Sequence, residues 1–319
     1  MGILLLAAGL LVGCAVHNEP EQKQRQEIAV RTGVTGMQRR ARAIDNIDSL
    51  RTKDIKIDAY FHGTTAKYLD SVKLHYNSTS WIFWDGAAQV HYYWPIEGSV
   101  YVPAEGDPIT VSSLDFVGFC PFEAPAYVTS TEYKAPDSIS FTCDVSAYMT
   151  SARQDTMQEY VVAVLDSQTY ATQTAAGGAL PLQFKHSFAQ IKFVIMAASG
   201  THVQVDSIRI DDLYTGGTCT YDGNEVTWDD YSAPDTVRII QTLKIGGTTE
   251  TKPFLVIPDN YGTKYLTVSA TWDDWSHVSI SDYGTNVSFN WEAGHSYTYK
   301  LTLDKYGLKV DEEKFTEQW

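Results

Sequence analysis

The stretch from Leu180 to Ile195, LPLQFKHSFAQIKFVI, constrains the fold more than any other part of the chain. Leu180, Leu182, Phe184, His186 and Phe188 alternate with smaller or polar neighbours, and then Ala189, Ile191, Phe193 and Ile195 alternate in the opposite phase. An apolar period of two marks a strand with one buried face. A slip of one residue exchanges the two faces, so the Phe188-Ala189 step predicts a bulge, a bend or a crossing between packed sheets. Phe184, Phe188, Ile191 and Ile195 also share helical spacing. Against a helix, Lys185 and Lys192 alternate cleanly with apolar neighbours, and Gly177-Gly178 with Pro181 brackets the start as a strand.

The same period recurs along the chain. Ile55, Ile57, Ala59 and Phe61 point one way while Lys56, Asp58 and Tyr60 point the other. Val72–Tyr76 follows, and then Trp81–Trp84, which Asp85-Gly86 turns into Gln89–Trp94 as a hairpin. Ser99–Val102, Leu114–Phe119, Ile139–Val145 and Tyr160–Leu165 continue the series, with Cys143 on an apolar face and Ser151–Glu159 as a short helix or turn. Residues 166–178 are small and polar, which suits a boundary or a long connecting loop. Beyond Ile195 come Val203–Ile210, with a phase slip of its own, then Val237–Ile245, the proline-bounded edge candidate Lys252–Pro258, Tyr265–Trp272, Val278–Ile280 and Trp291–Leu303. Long amphipathic helical patterns are nearly absent, so the chain reads as all-β. A length of 319 residues suits about two domains. Two sets of short strands argue for two tandem β-sandwiches, placed at residues 52–178 and 179–319, over one barrel or a repeat array.

Charge and motifs narrow the chemistry. Lys and Arg number 24 against 39 acidic residues, a net charge of -15 that opposes general attraction to nucleic acid. The pairs Asp211-Asp212, Asp229-Asp230 and Asp273-Asp274 have no calcium-loop or glycosidase spacing and read as solvated loop charge. There is no HExxH and no GxSxG, so no metal, cofactor or catalytic role is expected, and His186 reads as a packed strand residue. Cys120, Cys143 and Cys219 read as buried thiols or as one disulfide with a cysteine left over. Trp81, Phe83, Trp84, Tyr92, Tyr93 and Trp94 suit sandwich cores. Trp81, Trp84 and Trp94 would also serve as a stacking platform for sugars, the alternative reading of a glycan-binding surface lipoprotein.

The N-terminus is of another kind. Ile3–Val12 is an apolar run of signal-peptide length, with no Lys or Arg before it, and it ends in Leu11-Val-Gly-Cys14. That ending resembles the lipobox of bacterial lipoproteins. The resemblance implies a signal peptide over residues 1–13 and Cys14 as the acylated, palmitate-bearing anchor in the outer membrane; a plain secretory signal is the other reading. Residues 15–51 have little to bury and read, with Cys14, as a tether. Within them Glu27–Arg31 is β-capable, and the cluster around Arg39, Arg40 and Arg42 serves solubility, contact with anionic headgroups, or cleavage by an Arg-specific protease.

Several stretches together resemble the fimbrillin family, the lipoprotein-derived pilins of Bacteroidales surface fimbriae. They are the ending at Cys14, Trp81 through Tyr92-Tyr-Trp-Pro95 with Val100-Tyr-Val, Ile139-Ser-Phe-Thr with Gln154-Asp155, Leu180 through Phe193, Phe254-Leu-Val-Ile-Pro258, and Trp291 through Leu301. The resemblance implies two transthyretin-like β-sandwich domains and a structural subunit of a cell-surface fimbria serving adhesion, joined to other fimbrial subunits by strand exchange. A host receptor or glycan is the partner expected beyond the fimbria. It also makes Arg39, Arg40 and Arg42 the candidate cleavage positions and Ile28, Ala29 and Val30 the candidate strand that leaves. At the C-terminus Leu308, Val310, Phe315 and Trp319 form a candidate donor strand. The other reading is that this tail completes its own sheet, which points to a tip or accessory subunit instead of a stalk subunit.

Overall fold

The structure, a computed structural model, describes residues 25–34, 47–104, 106–149, 156–197, 202–239, 243–245, 248–258, 262–273, 278–304 and 306–318. Its centre is a six-stranded sheet in the order Val161–Gln168, Leu114–Cys120, Ile55–Phe61, Lys67–Tyr76, Trp81–Trp84, Gln89–Val90. Alternation sends the side chains of its first three strands to two different cores. Ile55, Ile57, Phe61, Leu114, Phe116, Val161 and Ala163 join one apolar cluster, while Tyr60, Val117, Phe119, Val162 and Val164 join a second. A strand covered on both faces needs no polar face, which is why Leu114–Cys120 is buried along its whole length.

On one face lies a four-stranded sheet in the order Val226–Asp229, Gly216–Tyr221, Ser138–Asp144, Val128–Lys134, so strands from both halves of the sequence share one ladder. Beyond it the second cluster continues into a sandwich of two further sheets. One orders Thr248–Glu250, Ala189–Ala197, His295–Asp304 and Gly307–Gln318, with Phe254–Val256 also on Ala189–Ala197. The other orders Pro234–Ile239, His202–Tyr214, Thr263–Asp273 and Val278–Ser288, with Leu243–Ile245 also on His202–Tyr214. The phase slip read in Val203–Ile210 is a register shift between Val205 and Ser207. The described chain is all-β in multiple sheets with no barrel.

Leu180 to Ile195 divides at its slip. Leu180–Phe184 pairs in parallel with Val30–Val34 and buries Leu180, Leu182 and Phe184 in the first cluster. The chain then crosses: Lys185 bridges Val162, the Ser187 hydroxyl donates to the Tyr160 carbonyl at 2.7 Å, and Phe188 enters the second cluster beside Phe141 and Trp228. Ala189–Ala197 continues there, parallel to His295–Asp304. The slip is a crossing between packed layers. His186 is buried in it, with Nδ1 2.9 Å from the Glu159 carboxylate, as a packed residue.

Two local readings change. Gln89–Trp94 is not one strand of the hairpin, because only Gln89–Val90 pairs with Trp81–Trp84 and residues 92–94 turn to another partner. The polar stretch 166–178 holds a helix, Tyr170–Ala175, started by Thr169 in a reciprocal capping box with Thr172. Residues 151–155 of the expected short helix or turn lie outside the described residues. Cys120, Cys143 and Cys219 are free and buried, and burial pushes the Cys143 thiol up to about 12.

Candidate functional site

The N-terminal segment Arg25–Val34 lies in a groove whose walls come from distant parts of the chain. On one side Val30–Val34 runs parallel to Leu180–Phe184, and the Leu180 amide donates to the Ala29 carbonyl at 2.8 Å. On the other side the segment pairs with residues 92–94: the Ile28 amide donates to the Tyr92 carbonyl at 2.8 Å, and the Trp94 amide donates to the Gln26 carbonyl at 2.8 Å. Both edges of the segment are therefore engaged.

The groove floor is apolar. Ile28 and Val30 alternate downward to 1 % and 6 % exposure, into the cluster that holds Ile57, Phe61, Phe116, Leu182 and Phe184. Gly118 lets the wall approach the sheet, since a Cβ there would meet Leu182 at 2.8 Å and the Phe184 ring at 2.9 Å. A Cβ at Gly33 would run into the Gln183 side chain.

The rim is polar. Glu27 pairs with His91 at 2.7 Å, with both side chains about half exposed. The Tyr68 hydroxyl donates to the Tyr93 carbonyl; burial raises its pKa, and the Arg25 charge opposes that shift. At the inner end the Gln173 side chain reaches both Glu27 and Ala29. Sequence reasoning missed Gln173, because a glutamine in a small, polar stretch carries no periodic signal. The signals that would have pointed to its helix are Thr169 as an N-cap and Gly177-Gly178 beyond the last turn, a pair that the sequence reading assigns to the start of a strand.

The structure thus places Ile28, Ala29 and Val30 inside the groove. Cys14, Arg39, Arg40 and Arg42 lie outside the described residues. Leu308 and Val310 are half-buried against the second cluster, on the strand Gly307–Gln318 that pairs antiparallel with His295–Asp304 at the end of its sheet. Phe315 is on that strand, its side chain outside the described set, and Trp319 lies outside the described residues.

The three tryptophans do not share a face. Trp81 sits against Tyr76 and Trp84 on the opposite face of the same strand beside His75, while Trp94 packs on Phe116 and donates from Nε1 to Gln173. Among the described residues no cluster of three metal-binding side chains occurs, and no helix is long and apolar enough to cross a membrane. Asp211 pairs with Arg209 at 3.1 Å.

A family model described as fimbrillin-like matches residues 42–319. No curated protein matches the sequence. Among solved structures, a candidate cell adhesion protein from Bacteroides uniformis is similar with a TM-score of 0.52 at 16 % identity, covering 92 % of this chain and 98 % of that one. A candidate cell adhesion protein from Bacteroides ovatus is similar with a TM-score of 0.54 at 12 % identity, again covering 92 % of this chain and 98 % of that one. At these identities the likeness is one of fold.

Proposed function

This chain belongs to the fimbrillin-like family and is a fimbrial or adhesin subunit of the cell surface, and from that premise we propose that it assembles by strand exchange at the groove that Arg25–Val34 fills. The observation that carries this reading is the burial of Ile28 and Val30 between two walls that the rest of the chain supplies. Withdrawing the segment would leave the backbone edges of Leu180–Phe184 and residues 92–94 unpaired over an apolar floor. Proteins protect such edges, and an extended segment from a partner fills one with main-chain bonds and buried side chains together.

In this reading the precursor is a lipoprotein anchored through Cys14 in the outer membrane, and an Arg-specific protease cuts at Arg39, Arg40 or Arg42 to free the segment. Residues 52–178 make the first domain in this reading, with Leu180–Phe184 reaching back as a wall of its core, and the second domain carries the tail. Pairing of Gly307–Gln318 within its own sheet favours a tip or accessory position. For Leu308, Val310, Phe315 and Trp319 to act as donor, that strand would have to give up the ladder it forms here.

The test uses the full chain and partner fimbrial subunits with an Arg-specific protease. Cleaved chain is expected to lose residues 25–34 and enter SDS-resistant oligomers, while the triple variant Arg39→Ala, Arg40→Ala, Arg42→Ala stays intact and monomeric. Equal assembly of the uncleaved triple variant would sink the mechanism.

A further inference from the structure

Gln173 is 4 % exposed, and neither the strand ladders nor the apolar core accounts for it. Its Oε1 accepts from the Ala29 amide at 2.9 Å and from Trp94 Nε1 at 3.1 Å, and its Nε2 donates to the Glu27 carbonyl at 2.9 Å. A side-chain amide offers the same donor and acceptor as a peptide unit. In a parallel ladder one residue donates to the carbonyl before its partner and accepts from the amide after it. Across Ile28, Gln173 makes both of those bonds.

The main chain cannot make them. Leu180 already bonds the Ala29 carbonyl, so the next ladder position would fall two residues earlier, at Gly178. Gly178 has φ +93° and gives its amide to the Gln173 carbonyl to close the helix. The side chain of Gln173 takes the missing place. It is held ready by the capping box, in which the Thr172 amide donates to Thr169 Oγ1 at 3.2 Å and the Thr169 amide to Thr172 Oγ1 at 2.9 Å.

We propose that Gln173 is a backbone clamp, a ready-made strand position that receives an extended peptide entering this groove and fixes its register. The proposal rests on the strand-exchange reading for the identity of the later occupant, and it deepens that reading by naming the chemistry recognised. Because the clamp reads a carbonyl and an amide two residues apart, it is indifferent to side chains at those two positions. It rejects proline at the position of Ala29, which lacks the N–H. Specificity comes from the apolar pair at the positions of Ile28 and Val30.

Hydrogen exchange on the full-length, uncleaved chain tests this, comparing wild type with Gln173→Leu and Gln173→Glu. Leucine fills the buried space without pairing the backbone groups, so amides 26–34 are expected to exchange about tenfold to a hundredfold faster, with Ile55–Phe61 unchanged. Ionised glutamate still accepts from Ala29 and Trp94 but turns an oxygen toward the Glu27 carbonyl, so amides 26–34 also exchange faster than in wild type while the Trp94 indole N–H resonance stays near its wild-type position. In the leucine variant that resonance moves. A residue that merely packs would tolerate leucine, so unchanged exchange at 26–34 overturns the clamp, as does an acceleration spread evenly over the chain. Accelerated exchange together with a cleaved wild-type chain that never assembles would sink strand exchange and leave the clamp standing.

Discussion

The two terminal strands meet the body of the protein in different ways. Arg25–Val34 has walls on both sides and puts Ile28 and Val30 into a core, whereas Gly307–Gln318 ends its sheet, paired along one side, with Leu308 and Val310 half-buried. The N-terminal segment acts as a plug, and its loss would open a core. The C-terminal strand acts as a flank, laddered along one side at the end of its sheet. What distinguishes them is how many walls each meets, a long-range property of the fold.

Replacing one inward residue in each strand by a carboxylate should separate the two most strongly. Ile28→Asp buries an unpaired charge, which costs about 3–5 kcal/mol if the segment stays seated. Expelling the segment takes the charge into water, so the measured loss cannot exceed the free energy that holds the segment in place. Val310→Asp, at a half-buried position, should cost roughly 1 kcal/mol. Chemical denaturation of both variants measures the difference. Equal losses would mean that the N-terminal segment is a flank as well.

Gly118→Ala attacks the plug from beneath, with a smaller expected effect. The added methyl meets Leu182 and the Phe184 ring and pushes Leu180–Phe184 away from the sheet. Overpacking of this kind costs about 1–3 kcal/mol. Since Leu180–Phe184 is the wall that pairs with Val30–Val34, amides 30–34 should lose exchange protection while His295–Asp304 keeps its own. Loss of protection at both places would mean that the two regions unfold as one unit.

How much of this was legible follows from the range of each interaction. Alternation in Ile55–Phe61 and His295–Asp304 is local, and it located both strands; in Ile55–Phe61 the face read as outward is covered as well, with Asp58 and Tyr60 buried, because a second layer packs there. The phase slip before Ala189 is local too, and it marked the crossing between layers. Glu27–Arg31 was legible as β-capable, but nothing nearby in sequence identifies Leu180–Phe184 as its parallel partner or residues 92–94 as its other wall. Tyr92-Tyr-Trp94 read as the continuation of a hairpin because the Asp85-Gly86 turn signal is local, whereas the partners that residues 92–94 take, Gln26 and Ile28, lie far away in sequence. Gln173 was the least legible, since its role comes from two side-chain atoms taking the place of a peptide group that Gly178 turns away.

The smallest expected effect concerns what holds the rim of the plug. Glu27 and His91 stand 2.7 Å apart, with side-chain exposures of 47 % and 48 %, so water and salt screen most of their attraction. Removing the charge with Glu27→Gln should therefore cost at most about 1 kcal/mol, and that difference should shrink as salt is raised. The Glu27 backbone, by contrast, bonds to Gln173, and that bond survives the substitution because it uses the main-chain carbonyl. Exchange at amides 26–34 in Glu27→Gln, read beside Gln173→Leu at low and high salt, decides between the two. If the loss of charge loosens the segment as much as the loss of the amide, the plug is held by electrostatics at its mouth, and salt alone should release it.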